Sequence, residues 1–139
     1  MIEFHYELDF ALENDTYYAD WIARVIKGEG KIPGKLNYIF CSDEYLWDLN
    51  KKYLDHDTLT DIITFEYSEH GQVSGDIFIS VDRVRENADT LDVSLMEELR
   101  RVMVHGVLHL LGYGDKTETE KKVMRELEEE KMKLFHVEQ

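Results

Sequence analysis

The sequence predicts an α+β protein, in which a small mixed four-stranded sheet is covered by about five helices and a metal site lies on a central buried helix. Four segments show the alternating or β-branched pattern of strands, and five show apolar residues at spacings of three and four, as in helices. The two kinds of segment are interleaved along the chain. With 139 residues, 43% of them hydrophobic, we expect one domain over residues 1–139.

The first half of the chain is predicted to form two strands and two helices. Alternation in the first segment places His5 on the outer side of a half-buried strand. The glycine-rich segment 28–34 ends the first helix, Ser42 caps the second, and a polar loop, residues 54–59, follows it. The predicted elements are the strands Ile2–Leu8 and Lys35–Cys41 and the helices Asp15–Lys27 and Asp43–Tyr53.

The second half is predicted to form a hairpin and three helices. A short polar connection containing Gly71 joins two β-rich runs, as in an antiparallel hairpin, and Gly75 indicates a bulge or a close backbone approach. Ser94 and Thr117 each precede a glutamate by three residues, the pattern of a capping box. The predicted elements are the strands Asp61–Tyr67 and Val73–Ser80 and the helices Val81–Asp89, Ser94–Leu111 and Thr117–Leu134.

Charge limits the classes of partner. The formal net charge of −14 opposes the electrostatic attraction that supplies most non-specific nucleic-acid affinity, so any contact with RNA must be local. The acid-rich segment Glu118–Glu130 is interpreted as a solvated helix face. Cys41 is the only cysteine, which excludes an intramolecular disulfide, and its apolar neighbours predict a buried core residue.

The opening residues, MIEFHYELDF, lack the positively charged start and the continuous apolar stretch of a secretory signal. No apolar run approaches the roughly 18 residues that are needed to span a bilayer. We therefore expect a soluble, cytoplasmic protein without a membrane partner.

Two histidines on the helix after Ser94 are the first candidates for chemistry. His105 and His109 are four residues apart, so at about 100° per residue they differ by about 40° and project from one face. The rest of this helix is mostly apolar, so we expect both imidazoles to be largely buried. Buried imidazoles need hydrogen-bond partners or a metal ion, and the pair alone leaves both explanations open.

The residues after the pair favour the metal ion. Gly112 can adopt the positive φ that ends a helix and turns the chain, so that Asp115 can reach the same ion. The pattern H-x-x-x-H-x-x-G-x-x-D supplies three ligands and leaves one position open, as in catalytic zinc sites. Such an ion lowers the pKa of its bound water and polarises a phosphoryl or carbonyl oxygen, which indicates a metal-dependent hydrolase.

Two observations limit this interpretation. Asp115 could equally be the N-cap of the last helix. Gly106 stands where H-E-x-x-H proteases carry the glutamate that acts as general base, which argues against peptide hydrolysis.

The segment HGVLHLLGY, His105–Tyr113, closely resembles the signature of the YbeY family of metal-dependent endoribonucleases. TDIITF, Thr60–Phe65, resembles the family's T-D-V-L-S-F strand, and GDIFIS, Gly75–Ser80, resembles its G-D-I-x-I-S strand. Leu49 and Asn50 stand at the usual distance upstream. Order and spacing agree from Leu49 to Tyr113.

The resemblance implies a mixed α/β fold with one zinc-type ion per chain at the His105, His109 and Asp115 positions, which are then both the metal ligands and the catalytic centre. It also implies single-strand-specific endoribonuclease activity on RNA. The implied roles are maturation of small-subunit ribosomal RNA and ribosome quality control, with the small ribosomal subunit or assembly factors as partners.

The third ligand departs from the family pattern. The family usually has histidine there, in a G-Y-D-H ending, whereas this chain has Gly114 and Asp115. A carboxylate makes the ion a weaker Lewis acid and suits harder cations, so manganese or magnesium could replace zinc.

A second departure concerns an arginine that the family generally places before T-D, in a Y-R pair. This chain has Leu54 at that position. An arginine near the scissile phosphate can clamp its oxygens, so we expect its loss to weaken catalysis unless Lys51, Lys52 or His56 substitutes.

Other polar residues have a structural and a functional interpretation. Thr60 and Asp61 form a polar strand entry, and the resemblance favours a site-shaping role for them. Asp76 is expected to face solvent, the alternative being to orient a ligand histidine. Glu98 is expected to be a first-turn acid favoured by the helix dipole, the alternative being a proton acceptor. The residues that could form a basic groove, with scattered surface charge as the default, are Lys51, Lys52, Arg83, Arg85, Arg100 and Arg101.

The leading prediction is a metal-dependent endoribonuclease that acts on single-stranded RNA. One alternative is a metal-binding accessory protein of ribosome assembly with weak or no catalysis, which predicts ribosome association without turnover. Another is a metal-dependent hydrolase of a different substrate, which the acidic net charge allows but no motif supports.

Overall fold

The computed structural model describes residues 1–54 and 59–136. It confirms the α+β class, with a four-stranded mixed sheet and five α-helices in this part of the chain. The strands are β1 (Ile2–Tyr6), β2 (Ile32–Cys41), β3 (Ile62–Glu66) and β4 (Gln72–Ser80). The helices are α1 (Asp15–Gly28), α2 (Asp43–Leu54), α3 (Val81–Leu91), α4 (Leu95–Leu110) and α5 (Glu118–Lys133), and a 3-10 turn, Leu134–His136, follows them. None of the helices in the described ranges combines the length and the hydropathy that crossing a bilayer requires.

The sheet has the strand order β1-β2-β4-β3. The pairs β1-β2 and β2-β4 are parallel, whereas β3 and β4 pair antiparallel, which confirms the predicted hairpin. β3 is an edge strand whose start lies beside the end of β4, where the Ser80 amide donates to the Asp61 carbonyl at 2.9 Å. The segment that leads into β3 is thereby fixed to the end of the sheet from which α3 starts.

The two faces of the sheet are covered differently. One face packs against α1, α3 and α4 and forms the main core, whereas α2 packs on the opposite face. There Leu46 contacts Ile63 and Cys41 in a smaller cluster, so the prediction of a buried Cys41 is confirmed. The strand residues of the main core include Leu36, Tyr38, Phe40, Ile77 and Ile79.

α4 is the central buried helix of the prediction. It approaches β3 and β4 closely at Gly106, because a Cβ there would lie 2.9 Å from the side chains of Ile62 and Ile77. The Tyr38 hydroxyl donates to the Met103 carbonyl of this helix at 2.8 Å. These contacts fix the height and rotation of α4 on the sheet.

Two predictions about particular segments are wrong. β2 begins at Ile32 rather than at Lys35, because Ile32 and Pro33 already pair with β4, before a bulge between Pro33 and Leu36. The interpretation of Glu118–Glu130 as a solvated face fails at Glu128, which is only 7% exposed. The loop predicted for residues 54–59 begins after Leu54, and residues 55–58 lie outside the described ranges.

Candidate metal centre

Three side chains from α4 and the turn after it converge on one point. The Nε2 atoms of His105 and His109 are 2.9 Å apart, and Oδ2 of Asp115 lies 3.2 Å from the first and 3.4 Å from the second. All three ligand atoms lie within 4.8 Å of one another, as the ligands of one metal ion must. The side chains of His105, His109 and Asp115 are 21%, 26% and 40% exposed, so the histidines are less buried than predicted and the centre is open to solvent.

Gly112 sets the turn that returns Asp115 to the histidines. Its φ is 103°, in the region that favours glycine. The Tyr113 amide donates to the Leu108 carbonyl and the Gly112 amide to the His109 carbonyl, both at 3.0 Å, which is the Schellman pattern of a helix C-terminus. The predicted reversal after the histidine helix is therefore confirmed.

Asp115 is not the N-cap of α5. The hydroxyl of Thr117 accepts from the Glu120 amide at 3.1 Å, and the Glu120 carboxylate accepts from the Thr117 amide at 3.0 Å. Thr117 and Glu120 thus supply the capping hydrogen bonds at the start of α5, and Asp115 takes no part in them. The carboxylate of Asp115 is thus left to face His105 and His109.

The Nδ1 atom of each imidazole lies within hydrogen-bond distance of a group that can only accept. Nδ1 of His105 lies 2.6 Å from Oε2 of Glu128, and Nδ1 of His109 lies 2.9 Å from the Tyr113 carbonyl. Since an ionised carboxylate and a carbonyl have no proton to give, we assign the proton to Nδ1 in both rings. The Nε2 lone pairs then face each other and Asp115, and a proton or a cation must lie between them.

The charges around His105 favour a proton or a cation between the Nε2 atoms and Asp115. Burial acts to lower the pKa of His105, but the hydrogen bond and charge of Glu128 and the charges of Asp115 and Asp61 outweigh it, so the pKa is raised. For metal bonds of about 2.0 Å, two ligands of a tetrahedral ion are about 3.3 Å apart. The observed separations of 2.9 to 3.4 Å are close to this value. The three residues therefore fit a divalent cation.

Two further acids lie around the centre. Burial raises the pKa of Asp61, and the neighbouring charge of His105 opposes this rise. Glu98 lies in the first turn of α4, as predicted, and it is a buried acid, 5% exposed, whose carboxylate lies 3.3 Å from Arg101. Thr60 donates to the Ile62 carbonyl at 3.3 Å, as expected of a polar strand entry.

Asp76 lies on the sheet face opposite α4. Its two carboxylate oxygens accept from Asn37 at 3.0 Å and from the Tyr67 hydroxyl at 3.2 Å. Asn37 in turn contacts His5 at 3.1 Å, which confirms the predicted outward orientation of His5. Asp76 therefore does not orient a histidine of the candidate centre.

Glu128 was not among the predicted site residues. Met124, Glu128 and Lys131 recur at helical spacing, and all three are buried, so Glu128 stands at a core-facing position of α5. An ionised carboxylate at such a position requires a buried partner. The periodicity of α5 could have indicated that Glu128 is buried, but not that His105 is its partner.

The predicted basic residues do not converge into one groove in the described part of the chain. Arg101 is the member that reaches the centre, where it lies 3.5 Å from Glu128. The others are held elsewhere: Arg83 by Asp43 and Glu86, Arg85 by Asp82, Lys51 by Asp48 and the Trp47 ring, Lys52 over the Tyr53 ring and Arg100 over the Phe135 ring. Leu54 is 41% exposed at the end of α2, and His56 lies outside the described residues.

A second set of contacts ties the turn after α4 to α1 and α5. The Tyr113 hydroxyl donates to one carboxylate oxygen of Glu29, and Nζ of Lys131 lies 2.9 Å from the other. The Tyr113 hydrogen bond, followed by that of Lys131, lowers the pKa of Glu29. Lys131 is 4% exposed, and Glu29 is the nearer of its two counter-charges, since Glu130 lies 3.6 Å from the ammonium.

We expect Glu29→Gln to lower the free energy of unfolding by about 1–2 kcal/mol at neutral pH, since it weakens the pairing of a buried ammonium. The lowered pKa means that the ionised carboxylate stabilises the fold above its ordinary pKa of 4.5, and that this contribution is lost as the pH falls through the lower folded value. Urea unfolding of both proteins at several pH values measures the difference. It should shrink towards acid pH, and the exposed α5 variant Glu126→Gln should show no such loss. A difference that is independent of pH would contradict this explanation.

Comparisons with known proteins agree on one family. The profile described as "Endoribonuclease YbeY" matches residues 7–136. A relative named "Endoribonuclease YbeY" from Flavobacterium psychrophilum is 54% identical over 139 residues, covering 100% of this chain and 99% of the relative. A second relative with the same name, from Flavobacterium johnsoniae, is 52% identical over 139 residues, and the match covers 100% of both chains.

A solved structure shows the same fold. The solution structure of a Thermotoga maritima protein superposes with a TM-score of 0.68 at 26% identity, covering 97% of this chain and 89% of the other. Sequence and fold therefore lead to the same assignment. The chain belongs to the YbeY endoribonuclease family.

Proposed function

We propose that this chain is a metal-dependent endoribonuclease that cleaves single-stranded RNA, with His105, His109 and Asp115 as the ligands of one zinc ion at its catalytic centre. The observation that carries the proposal is the convergence of these three side chains on one point, in a member of a family whose relatives are named endoribonucleases. Two imidazoles and a carboxylate suit zinc. Manganese and magnesium are the alternatives, because a carboxylate also suits harder cations.

When bound, such a cation supplies Lewis acidity, which polarises a phosphoryl oxygen and makes water a better nucleophile at neutral pH. The chain's own residues place the ligands: α4 holds the histidines one turn apart and Gly112 returns the carboxylate to them. The partial exposure of the ligands leaves the centre accessible to a polymer such as RNA. Because Asp115, Glu128 and Asp61 are all acidic, we expect phosphate to be attracted only when the cation is present.

We further propose that the RNA is ribosomal, and that the protein acts in the cytoplasm in small-subunit RNA maturation and ribosome quality control. Family membership supports this role. The net charge of −14 supports it indirectly, because a protein without general attraction to RNA benefits from a partner that presents the strand. The small ribosomal subunit or one of its assembly factors would be such a partner.

A second candidate is a metal-binding accessory protein of ribosome assembly with weak or no catalysis. The exposed apolar side chain of Leu54, at the position where the family pattern has arginine, favours it. The pairing of Arg101 with Glu98 and Glu128 is consistent with it, since this cation is already engaged. The two candidates differ in whether the purified protein cleaves RNA.

The test is metal analysis of the purified full chain beside Asp115→Ala, with cleavage of single-stranded and duplex RNA assayed for both. We expect about one zinc per wild-type chain and preferential cleavage of the single strand. Asp115→Ala should weaken zinc binding by at least about a hundredfold, since loss of an outer partner of a ligand alone costs 10–100-fold. Cleavage should fall with it.

Two variants serve as controls. Asp115→His restores the usual ligand of the family pattern and should retain metal, whereas Asp89→Ala, an exposed acid on α3, should change neither readout. Retained zinc and unchanged cleavage in Asp115→Ala would reject Asp115 as a ligand. A wild-type chain that binds zinc without cleaving RNA would favour the accessory protein.

A further inference from the structure

Glu128 is the contact between α5 and the candidate metal centre. It lies 23 residues after His105, is 7% exposed, and places Oε2 at 2.6 Å from Nδ1 of that ring. Burial of an ionised carboxylate is costly unless its oxygens have partners. Both oxygens of Glu128 have a partner: Oε2 faces the imidazole of His105, and Oε1 lies 3.5 Å from Arg101. The carboxylate is therefore held in one orientation between the imidazole and the guanidinium.

The geometry separates Glu128 from the chemistry. Nδ1 and Nε2 are on different sides of the imidazole ring, and it is Nε2 of His105 that faces His109 and Asp115. Glu128 therefore contacts the side of His105 that is turned away from the candidate centre. Its contact with the centre is made through that ring.

The two histidines are oriented by unequal partners. The Nδ1 partner of His109 is the carbonyl of Tyr113, which is neutral and belongs to the turn that ends the same helix. The Nδ1 partner of His105 is an anion from a different helix. A carboxylate on the outer nitrogen of an imidazole fixes its tautomer and makes the other nitrogen a more basic ligand. The contribution of His105 to metal binding thus depends on α5.

The charges around His105 also favour a cation. Glu128, Asp115 and Asp61 all place negative charge near this ring. Arg101 lies 3.3 Å from Glu98 and 3.5 Å from Glu128, so its charge is shared between two acids. Loss of the Glu128 charge would remove part of the negative charge that favours a bound cation.

We propose that Glu128 is a positioning residue of the metal centre, which holds His105 with Nδ1 protonated and Nε2 directed at the ion. This inference rests on the proposed function, because it assumes that the three ligands bind a metal. It assigns α5, whose exposed face carries most of its acids, a part in metal affinity. A substitution on α5 can then change the centre without altering any ligand.

The test compares zinc affinity at one pH for wild type, Glu128→Gln and Glu128→Ala, by competition with a chromophoric chelator. Gln keeps an acceptor oxygen and loses the charge, whereas Ala loses both. Removal of an outer partner of a metal ligand costs 10–100-fold, so we expect losses of about tenfold for Gln and about a hundredfold for Ala. Proton NMR of the zinc-loaded, nitrogen-labelled proteins reports whether the Nδ1 proton of His105 is hydrogen-bonded and protected from exchange with water. This signature should persist in the Gln variant and change in the Ala variant.

Glu129→Gln is the matched control, because it removes the same charge from an exposed position next in the helix. It should bind zinc as the wild type does. Unchanged affinity in both Glu128 variants would overturn the inference and leave the proposed function standing. A loss of affinity with an unaltered His105 signature in the Ala variant would also overturn it, since Glu128 would then be only structural. A wild-type chain that binds no zinc would overturn the proposed function and this inference together.

Discussion

Replacing His109 with alanine is expected to lower the rate of metal-dependent cleavage of single-stranded RNA by more than about a thousandfold. Removal of one electrostatic stabiliser from an active site already costs 10²–10³-fold, and this change removes a ligand on which the whole ion depends. After the change, His105 and Asp115 would be the two remaining donors of the converging set. The measurement is the initial cleavage rate with and without added zinc, beside the metal content of the purified variant.

The fold should survive this substitution. The side chain of His109 is 26% exposed, and its outer hydrogen bond goes to the turn of its own helix. A thermal unfolding curve close to that of the metal-free wild type would show that the effect is local. His5→Ala is the matched control, because this histidine lies on the open face of the sheet and contacts Asn37. A His109→Ala variant that keeps its metal and a wild-type rate would refute the proposed ligand set.

The largest effect on stability is expected for Gly75→Ala. A Cβ at this position would lie 2.4 Å from the carbonyl oxygen of Phe65 and 3.2 Å from the side chain of Leu110. The first atom belongs to the backbone of the paired strand, so β3 and β4 must separate or α4 must move. Overpacking of this kind costs about 1–3 kcal/mol, and the backbone contact places this case near about 3 kcal/mol. Urea unfolding measures the loss through the transition midpoint.

Gly28→Ala provides the comparison for this prediction. Gly28 is the last residue of α1, and a Cβ there meets no atom within 4 Å in the described structure. Alanine is a better helix former than glycine by up to about 1 kcal/mol, so this variant should be as stable as the wild type or more stable. Equal stability of the two alanine variants would show that the close approach at Gly75 has no energetic weight.

The extent of agreement between sequence and structure differs from element to element. The hairpin and the reversal at Gly112 are confirmed because each depends on residues that are near one another in the chain. The start of β2 is wrong by three residues, because the pairing of Ile32 and Pro33 with β4 outweighs the local turn preference of the glycine-rich segment. Tertiary contacts also outweigh local preference at Glu128, which is buried by packing against α4 in spite of its polarity.

The candidate centre divides in the same way. The spacing of His105 and His109 and the position of Asp115 were sufficient to predict the converging set. The wider groups around it were predicted only in part. The family resemblance favoured a site-shaping role for Asp61, whereas Glu29 and Glu128 come from distant segments and no local pattern connects them to the histidines. The predicted basic residues likewise found separate acidic or aromatic partners in the fold.

The sequence by itself determined the α+β class, the helix that carries both histidines and the turn that brings Asp115 back to them, because helical periodicity and the positive φ of glycine are local properties. Only the tertiary structure decided the strand order, the burial of Glu128 and the contact between α5 and His105. Those features depend on which distant surfaces exclude water together, and hydrophobic burial is non-directional, so it leaves no pattern in the chain that names the partner.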